Sequence, residues 1–407
     1  MPRYLIVGNG VAGITAAQGL VRGDDAEVHV FGSEPYPYYQ RPRLWHYLAG
    51  EIAREELYFR PFEWYAARGI HVHPDTRVIV LDPAGHRIQL ADGSWEPYDR
   101  LLLATGGRSF VPPFEGVDLE GVFALRSLDD ALAIKRLADQ VSNVVVIGGG
   151  LLGLETARAL VAPGRRVSVV EIAPHLLPRQ LDVTGAQVLQ SRLEAMELRI
   201  YTDAATRAIV GNTRVSGVLL TSGRTIPAEL VILSTGIRSR IELARDAGIE
   251  VNRGIVVDEQ LGTSAPDVYA AGDAAEFQGT VYGIIPAAIE QARTVAGHMA
   301  GNGASPYQGT LPSTTLKIVG IDLTCLGDSV ADGPEHVVLR YSDQAAGIYK
   351  RLALDPSTII GAILMGDVTD AHWIQRLIDD KRDVSAFGGR LLDGGVDLKA
   401  LVEGSLP

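Results

Sequence analysis

Two short glycine-rich segments carry the residue types best suited to chemistry in this chain of 407 residues. Residues 8–13 read GNGVAG and residues 148–153 read GGGLLG, and each segment follows an apolar run and precedes helix-forming residues. Glycines let backbone amides approach a pyrophosphate closely, and the start of a helix adds partial positive charge. The glycines predicted to make this approach are Gly8, Gly10 and Gly13 for one dinucleotide, and Gly148, Gly150 and Gly153 for another.

An acidic residue follows the next strand of each unit, where ribose hydroxyls are expected. Glu171 comes directly after the strand 166–170, so its carboxylate is placed to accept hydrogen bonds from a ribose and to repel a 2′-phosphate. This favours NADH over NADPH, and the alternative is a solvated glutamate at the end of a strand. Glu34 comes three residues after Phe31, so its position supports a ribose role less directly.

The elements around these segments predict an α/β fold. Each unit reads as strand, loop, helix and strand, followed by a β-meander and a closing strand that ends in Thr-Gly. After a Gly/Ser/Pro-rich stretch at 301–312, residues 316–326 read as one strand of an α+β region. We therefore expect two Rossmann-like domains of three layers (ββα) plus a C-terminal α+β domain. The expected boundaries are 1–112 with 241–307, 113–240, and 308–407.

Charge and composition exclude several classes of function. The formal net charge of -12 and the lack of a long Lys/Arg run argue against a nucleic-acid partner. No apolar stretch approaches the ~20 residues that cross a bilayer, and Gly8 interrupts the first apolar run early, so a cytoplasmic location is expected. Cys325 is the one cysteine, which rules out an internal disulfide and predicts a buried structural thiol, and no metal site is expected.

Four ordered motifs resemble a known family. They are GNGVAG at 8–13, the strand end 104–106, GGGLLGLE at 148–155 and YAAGD at 269–273. In this order they resemble the FAD/NAD(P) pyridine-nucleotide oxidoreductases of the glutathione-reductase fold, over roughly residues 3 to 330. The resemblance implies that the first unit binds FAD and the second binds NAD(H).

The resemblance also implies individual contacts. Asp273 would hydrogen-bond the ribityl chain and pyrophosphate, although it could instead cap a helix, and the helix near Pro286 would point its N-terminus at the flavin pyrimidine. The FAD contacts implied are Gly8, Asn9, Gly10, Ala12, Gly13, Ser33, Glu34, Arg41, Val78, Ala104, Thr105, Gly106, Gly272, Asp273, Ile285 and Pro286. The NAD contacts implied are Gly148, Gly150, Leu152, Gly153, Glu171 and Gly236.

The absence of a cysteine pair and one substitution indicate the branch of the family. Disulfide reductases carry a cysteine pair near the flavin, and this chain has none. Residues 36–46, YPYYQRPRLWH, are similar to the Tyr-x-Arg-Pro-x-Leu-Ser-Lys stretch of reductases that serve ferredoxin and rubredoxin. Arg41 matches the motif arginine, which would contact FAD, and His46 stands where the motif has lysine.

The resemblance supplies three candidates for catalysis. Glu155 corresponds to the glutamate that pairs with the motif lysine, so it would pair with His46, although a carboxylate also suits the start of a helix. Residues 316–328 resemble the beginning of the C-terminal domain of rubredoxin reductases and part of the flavin portion of assimilatory nitrite reductases. There a lysine approaches the flavin, so Lys317 is a candidate, and the alternative is a solvated strand lysine.

These features predict an oxidoreductase that passes hydride from NADH to FAD and then electrons to a small iron-containing carrier, rubredoxin or ferredoxin. Two alternatives of the same class are the flavin component of a nitrite reductase and an NADH oxidase. An alternative of another class is an NADH-sensing interaction protein that resembles apoptosis-inducing-factor-like flavoproteins. The sequence leaves the oligomeric state open, with a homodimer among the options.

Overall fold

The structure is a computed structural model that describes residues 1–22, 26–311, 313–318, 321–343 and 345–404, with the backbone alone described at 313–318. The chain divides into two compact units, each made of two segments. The first unit consists of Met1–Phe110 and Ile237–Thr310. The second unit consists of Val111–Gly236 and Leu311–Pro407.

The first segment of the first unit opens with a strand, a glycine turn and a helix, as predicted. Its strands are β1 (Arg3–Val7), β2 (Glu27–Phe31), β3 (Ile70–His73), β4 (Val78–Asp82), β5 (Arg87–Leu90), β6 (Trp95–Pro97), β7 (Arg100–Leu103) and β8 (Gly107–Ser109). Its helices are α1 (Val11–Leu20), α2 (Leu44–Leu48) and α3 (Phe62–Ala66), with 3-10 turns at Arg41–Arg43 and Arg54–Leu57.

The first segment of the second unit repeats this order after an entry helix. Its strands are β9 (Val122–Ala124), β10 (Asn143–Ile147), β11 (Arg166–Val170), β12 (Leu198–Tyr201), β13 (Thr206–Gly211), β14 (Val215–Leu220), β15 (Thr225–Pro227) and β16 (Leu230–Leu233). Its helices are α4 (Leu128–Ala138), α5 (Leu151–Ala159) and α6 (Val183–Ala195). Ser127 caps α4, because its side chain accepts a hydrogen bond from the Asp130 amide.

The second segment of the first unit completes that unit. Its strands are β17 (Ile237–Ser239), β18 (Ile255–Val257), β19 (Val268–Ala270) and β20 (Ala275–Phe277). Its helices are α7 (Glu242–Asp246) and α8 (Ile285–Met299), with a 3-10 turn at Gly272–Ala274. The helix predicted near Pro286 is therefore present.

The last segment corrects one prediction. Its strands are β21 (Ser313–Ile318), β22 (Ile321–Gly327), β23 (Val337–Asp343), β24 (Ile348–Asp355) and β25 (Thr358–Met365). Its helices are α9 (Ala371–Asp379) and α10 (Leu398–Val402), with a 3-10 turn at Gly388–Leu391. The single strand predicted at 316–326 is wrong, because β21 and β22 pair antiparallel with each other. A glycine inside an apolar run is typical both of a bulge in one strand and of a turn between two strands. The sequence pattern therefore did not show that the chain reverses direction between β21 and β22.

The sheets explain where the glycine loops emerge. Two five-stranded parallel sheets have the orders β19-β7-β1-β2-β3 and β12-β11-β10-β16-β9. Both place the strand before the glycine loop, β1 or β10, in the middle of its sheet. After their first residues, Arg3 and Asn143, these strands are apolar and buried on both faces, as a central parallel strand requires. Each loop therefore leaves the carboxyl end of a central strand, which is where open α/β sheets bind ligands.

The remaining sheets confirm the predicted meanders and the α+β end of the chain. Antiparallel three-stranded sheets form from β4-β5-β6 and from β13-β14-β15. The last segment forms an antiparallel sheet in the order β21-β22-β25-β24-β23, with α9 packed in the same hydrophobic cluster. In the part of the chain that the structure describes, every helix is too short or too polar to cross a membrane.

Candidate dinucleotide sites

The first glycine loop is closed by backbone contacts that exclude side chains. Gly8 has φ of +125°, and a Cβ atom built on it would lie 2.0 Å from the carbonyl oxygen of Ala104. A Cβ atom on Gly13 would lie 2.0 Å from the carbonyl oxygen of Gly8. The turn is therefore open only to glycine at these positions, and α1 starts immediately after Gly10.

Polar atoms beside this loop fit a phosphate-containing cofactor. Asn9 donates its side-chain amide to the carbonyl of Tyr36 at 3.0 Å, while its Oδ1 is buried without a hydrogen-bond partner among the described residues. Within the same described ranges, Nε of Arg41 is also buried without a partner. Nη1 of Arg41 lies 3.4 Å from the position of a Cβ on Gly10. The guanidinium of Arg41 at the start of a helix suits a pyrophosphate, and the Asn9 Oδ1 can accept from a hydroxyl group of the same cofactor.

Glu34 and Arg41, both predicted to contact FAD, contact each other. Arg41 donates to the Glu34 carboxylate at 2.6 Å, and the hydroxyl of Tyr39 donates to the same carboxylate at 2.5 Å. Glu34 therefore holds Arg41 in place beside the loop. The sequence did not predict this pair, whose members lie seven residues apart in the segment that leads into the 3-10 turn at Arg41–Arg43.

The Asp273 segment lies against the first loop. Gly272 has φ of +76°, and a Cβ on it would lie 3.1 Å from the Cβ of Ala12. The Gly272 amide donates to the side chain of Gln291 at 2.8 Å, and Ser239 donates its hydroxyl to the carbonyl of Asp273 at 2.6 Å. Asp273 lies inside the 3-10 turn rather than at the N-cap of α8, which is Ile284.

The other residues predicted to contact FAD occupy strand and helix ends of the first unit. Thr105 and Gly106 follow β7, and the Thr105 hydroxyl donates to the carbonyl of Arg240 at 2.8 Å. Val78 begins β4, and Ile285, which is 39% exposed, begins α8. Ser33 follows β2 and is exposed.

The second glycine loop has the same closure but a more open surface. A Cβ on Gly148 would lie 2.2 Å from the carbonyl of Ser234, and a Cβ on Gly153 would lie 2.1 Å from the carbonyl of Gly148. By contrast, a Cβ on Gly150 meets nothing within 4 Å, and Leu152 is 49% exposed. The loop therefore leaves space above Gly150 at the start of α5. Gly236, with φ of +102°, follows β16.

Glu171 is a buried brace of this loop. Its carboxylate accepts hydrogen bonds from the Gly149 amide at 2.6 Å and from the Ala173 amide at 2.8 Å, and the residue is only 8% exposed. The alternative interpretation of Glu171 as a solvated strand-end residue is therefore wrong. A carboxylate oxygen can accept more than one hydrogen bond, so this brace is compatible with a ribose contact.

The catalytic candidates have distinct surroundings. Burial raises the pKa of Glu155, on α5, from its ordinary value of 4.5 to about 7. The Nδ1 atom of His46 lies 2.5 Å from Oε2 of Glu51, an acidic partner that the sequence did not predict. Lys317 lies on β21 opposite Asp322, and its side chain is outside the described residues. The pairing of His46 with Glu155 stays a prediction.

The lone thiol has the structural character predicted for it. Cys325 is buried in β22, where burial raises its pKa to about 12 and Sγ donates to the carbonyl of Gln180 at 3.4 Å. The prediction of a buried thiol is confirmed. Across the described ranges, no group of three His, Cys, Asp or Glu side chains is arranged to hold a metal ion.

Two family profiles match the chain. One is described as pyridine nucleotide-disulphide oxidoreductase and matches residues 2–292. The other is described as the C-terminal domain of rubredoxin NAD+ reductase and matches residues 312–382.

Individual relatives agree with these profiles. The chain is 36% identical over 385 residues to a nitrite reductase [NAD(P)H] of Bacillus subtilis (strain 168), covering 94% of this chain and 48% of that protein. It thus spans about half the length of that relative. It is 32% identical over 406 residues to the ferredoxin–NAD(+) reductase component of the biphenyl dioxygenase system of Paraburkholderia xenovorans (strain LB400), covering 98% of both chains.

A solved structure shares the fold along the whole chain. The crystal structure of a ferredoxin reductase from Rhodopseudomonas palustris superposes with a TM-score of 0.90 and 29% identity, covering 99% of this chain and 100% of that one. This confirms the predicted α/β fold with two Rossmann-like parts and a C-terminal domain. The profile over residues 2–292 matches the family that the four motifs indicated. The chain therefore belongs to the pyridine nucleotide-disulphide oxidoreductase family, whose members are oxidoreductases that use FAD and NAD(H).

Proposed function

We propose that this chain is an NADH-dependent FAD oxidoreductase that passes electrons to a small iron-containing carrier of the rubredoxin or ferredoxin type. The observation that carries the proposal is the pair of glycine loops. In each loop, a Cβ atom built on the first glycine would lie about 2 Å from a backbone carbonyl oxygen. One buried cysteine accompanies them, so electrons have no disulfide to pass through. The similarity to a ferredoxin–NAD(+) reductase component over nearly the full length of both chains supports the carrier.

The first unit supplies the FAD site in this proposal. The amides of the 8–13 loop and the start of α1 would bind the pyrophosphate, with Arg41 neutralising its charge and Glu34 holding Arg41. Asp273 and the start of α8 would contact the rest of the cofactor. When bound, FAD supplies the exchange between a two-electron hydride and single electrons.

The second unit supplies the NADH site. The 148–153 loop would bind the dinucleotide pyrophosphate, since space is open above Gly150. The buried carboxylate of Glu171 would accept hydrogen bonds from the ribose hydroxyls and repel a 2′-phosphate. The site would therefore select NADH over NADPH. Glu155 has a pKa of about 7, so it can hold or release a proton near neutral pH and is proposed to orient the nicotinamide carboxamide.

The domain boundaries and the assembly belong to the same proposal. An FAD domain would comprise 1–112 and 241–307, an NAD(H) domain 113–240, and a C-terminal domain 308–407. The match of residues 312–382 to the rubredoxin reductase C-terminal domain supports the third of these. A homodimer is compatible with the proposal, and light scattering measures the oligomeric state directly.

A stopped-flow experiment tests the proposed function. Purified FAD-loaded protein is mixed anaerobically with NADH, and the flavin absorbance is expected to bleach rapidly. Turnover is then compared with rubredoxin, ferredoxin or oxygen as the acceptor. A carrier should accelerate NADH consumption well above the rate in air. Failure of NADH to bleach the flavin, or oxygen turnover as fast as carrier turnover, would contradict the proposal.

A second candidate function is the flavin component of a nitrite reductase. The 36% identity to a nitrite reductase twice as long favours it. A single cysteine is too few to hold an iron–sulfur cluster, so this chain would need a separate metal-bearing protein to reduce nitrite. Faster turnover with a nitrite-reducing iron protein than with rubredoxin or ferredoxin would favour this candidate.

A further inference from the structure

An open surface cavity of about 120 Å³ lies in the second unit, along its parallel sheet from the start of β10 to the end of β12, and the arginines in its lining are exposed to solvent. Asn143 and Arg166 are the first residues of β10 and β11, and both line the cavity. The edge strand β12 and the meander strand β15 complete the wall, with the ring of Tyr201 and the side chain of Ile226. Since one buried water needs only ~10–15 Å³, the cavity has room for a small ligand.

Three arginines converge on this cavity. Arg166, Arg199 and Arg224 all line it, and among the described residues none of them lies within ion-pair distance of a carboxylate. The guanidinium of Arg224 lies over the Tyr201 ring at 4.7 Å and donates to its hydroxyl at 3.4 Å. In contrast, Arg214 of the same meander pairs with Glu120 at 2.7 Å.

The local charge is opposite to that of the whole chain. Glu229 adjoins the lining at Asn143, and its carboxylate is held by the amides of Ser142 and Asn143 and by the Asn143 side chain. These hydrogen bonds, the Ser142 amide first, lower the pKa of Glu229, so it stays ionised. Three arginines and one carboxylate leave two positive charges in a chain of net charge -12. Like charges around one cavity repel each other, and a bound anion removes that cost.

The residues that line the cavity include neither the 148–153 loop nor Glu171. The 148–153 loop follows the last residue of β10, whereas Asn143 is the first residue of that strand. A strand of five residues is about 16 Å long. The strand starts that carry Asn143 and Arg166 therefore lie away from the glycine loop. The other end of the cavity reaches Tyr201, the last residue of β12, whose carbonyl oxygen accepts from the Glu171 amide at 2.8 Å.

We propose that this cavity binds a phosphate-type dianion, either free phosphate or a phosphate monoester. Guanidinium groups donate paired N–H groups in one plane, and a tetrahedral dianion has enough oxygens to accept from three of them. The buried hydroxyl of Ser168, 5% exposed, adds a polar group to the wall. Two net positive charges match the charge of the dianion.

Titration calorimetry with inorganic phosphate tests the proposal. The FAD-loaded protein is saturated with NAD+ so that both dinucleotide sites are filled, and sodium chloride at equal ionic strength is the reference. Phosphate is expected to bind, and Arg199→Ala or Arg224→Ala should weaken binding about ten-fold each, because a charged hydrogen bond contributes ~1.5–3 kcal/mol. Arg207→Ala, an exposed arginine on β13 outside the lining, is the matched control and should bind as the parent does.

Two further measurements complete the test. Glycerol 3-phosphate distinguishes the sources, since binding comparable to that of phosphate indicates a monoester and binding of phosphate alone indicates the free ion. Arg199→Lys keeps the charge but loses the paired donors, so intermediate affinity is expected. No phosphate binding at tens of millimolar, or equal binding by Arg199→Ala and Arg207→Ala, would overturn the proposal.

Discussion

The two glycine loops have nearly the same backbone and very different surroundings. Ala12 of the first loop is 6% exposed and covered by the Gly272 turn, whereas Leu152, its counterpart in the second loop, is 49% exposed. An arginine lies beside the first loop, and a buried glutamate braces the second. A covered loop beside an arginine suits a resident cofactor, and an open loop held by a buried carboxylate suits a nucleotide that exchanges at each turnover.

The largest expected effects come from the closing glycines. Gly13→Ala and Gly153→Ala each place a Cβ about 2 Å from a carbonyl oxygen, an overpacking that costs roughly 1–3 kcal/mol or more. If the loops differ as proposed, Gly13→Ala yields protein depleted of FAD. Gly153→Ala stays yellow but is reduced by NADH roughly 10- to 100-fold more slowly. Flavin content and stopped-flow bleaching measure both.

Gly150→Ala is the control for steric damage. Its Cβ meets nothing within 4 Å, so the fold and FAD content should be unchanged. The methyl group would still occupy the space proposed for the pyrophosphate, and the dissociation constant of NADH should rise. NADH binding as tight as in the parent protein would show that the dinucleotide does not lie on this loop.

The two acidic residues provide the next comparison. Glu171→Gln removes the buried negative charge from the second loop, and the ratio of kcat/KM for NADPH over NADH should rise about ten-fold or more. The reason is that two unit charges 4 Å apart repel by about 1 to 4 kcal/mol. Glu34→Gln should leave this ratio unchanged and weaken FAD binding, because Glu34 holds Arg41. An unchanged ratio in Glu171→Gln would remove Glu171 from nucleotide selection.

A third difference lies two residues past the last glycine, where the first loop has Thr15 and the second has Glu155. Since the pKa of Glu155 rises from 4.5 to about 7 on folding, the folded state keeps a proton that the unfolded chain releases between these pH values. The free energy of unfolding should therefore fall as pH rises through this window, and Glu155→Gln should remove that part of the slope. Denaturant titrations at several pH values measure it.

The same residue predicts a kinetic effect. Glu155→Ala should slow flavin reduction by NADH about five-fold, the value of one hydrogen bond of ~1 kcal/mol. The parent rate should change near pH 7, and this step should be absent in Glu155→Gln. A parent profile that is flat between pH 6 and pH 8, or an unchanged rate in the alanine variant, would argue that Glu155 only stabilises the start of α5.

The sequence predicted what depends on short, local patterns. Both loops, their helices and the burial of Cys325 follow from apolar runs and glycine spacing, which act within about ten residues of the chain. It did not predict the contacts that side chains make, such as that of His46 with Glu51 or those of the Glu171 carboxylate with backbone amides. Such contacts depend on rotamers and burial, which a single sequence does not specify.

Other features depend on pairing between distant segments. Arg166, Arg199 and Arg224 meet at one cavity because β11 pairs with β12 and β15 lies nearby, and nothing in their spacing along the chain indicates this. The reversal between β21 and β22 was missed for a related reason. One strand and two antiparallel strands have the same alternation of apolar residues until the pairing is known.

The smallest expected effect concerns the second position of each loop, which is Asn9 in the first and Gly149 in the second. Asn9→Gly removes the hydrogen bond to the Tyr36 carbonyl and the buried Oδ1, converting the first loop toward the second. The affinity for FAD should fall about three-fold, because one neutral hydrogen bond contributes ~0.5–1.5 kcal/mol. Recovery of FAD fluorescence on dilution measures this affinity. NADH affinity should not change, and an FAD affinity equal to that of the parent would show that the amide does not help to retain the cofactor.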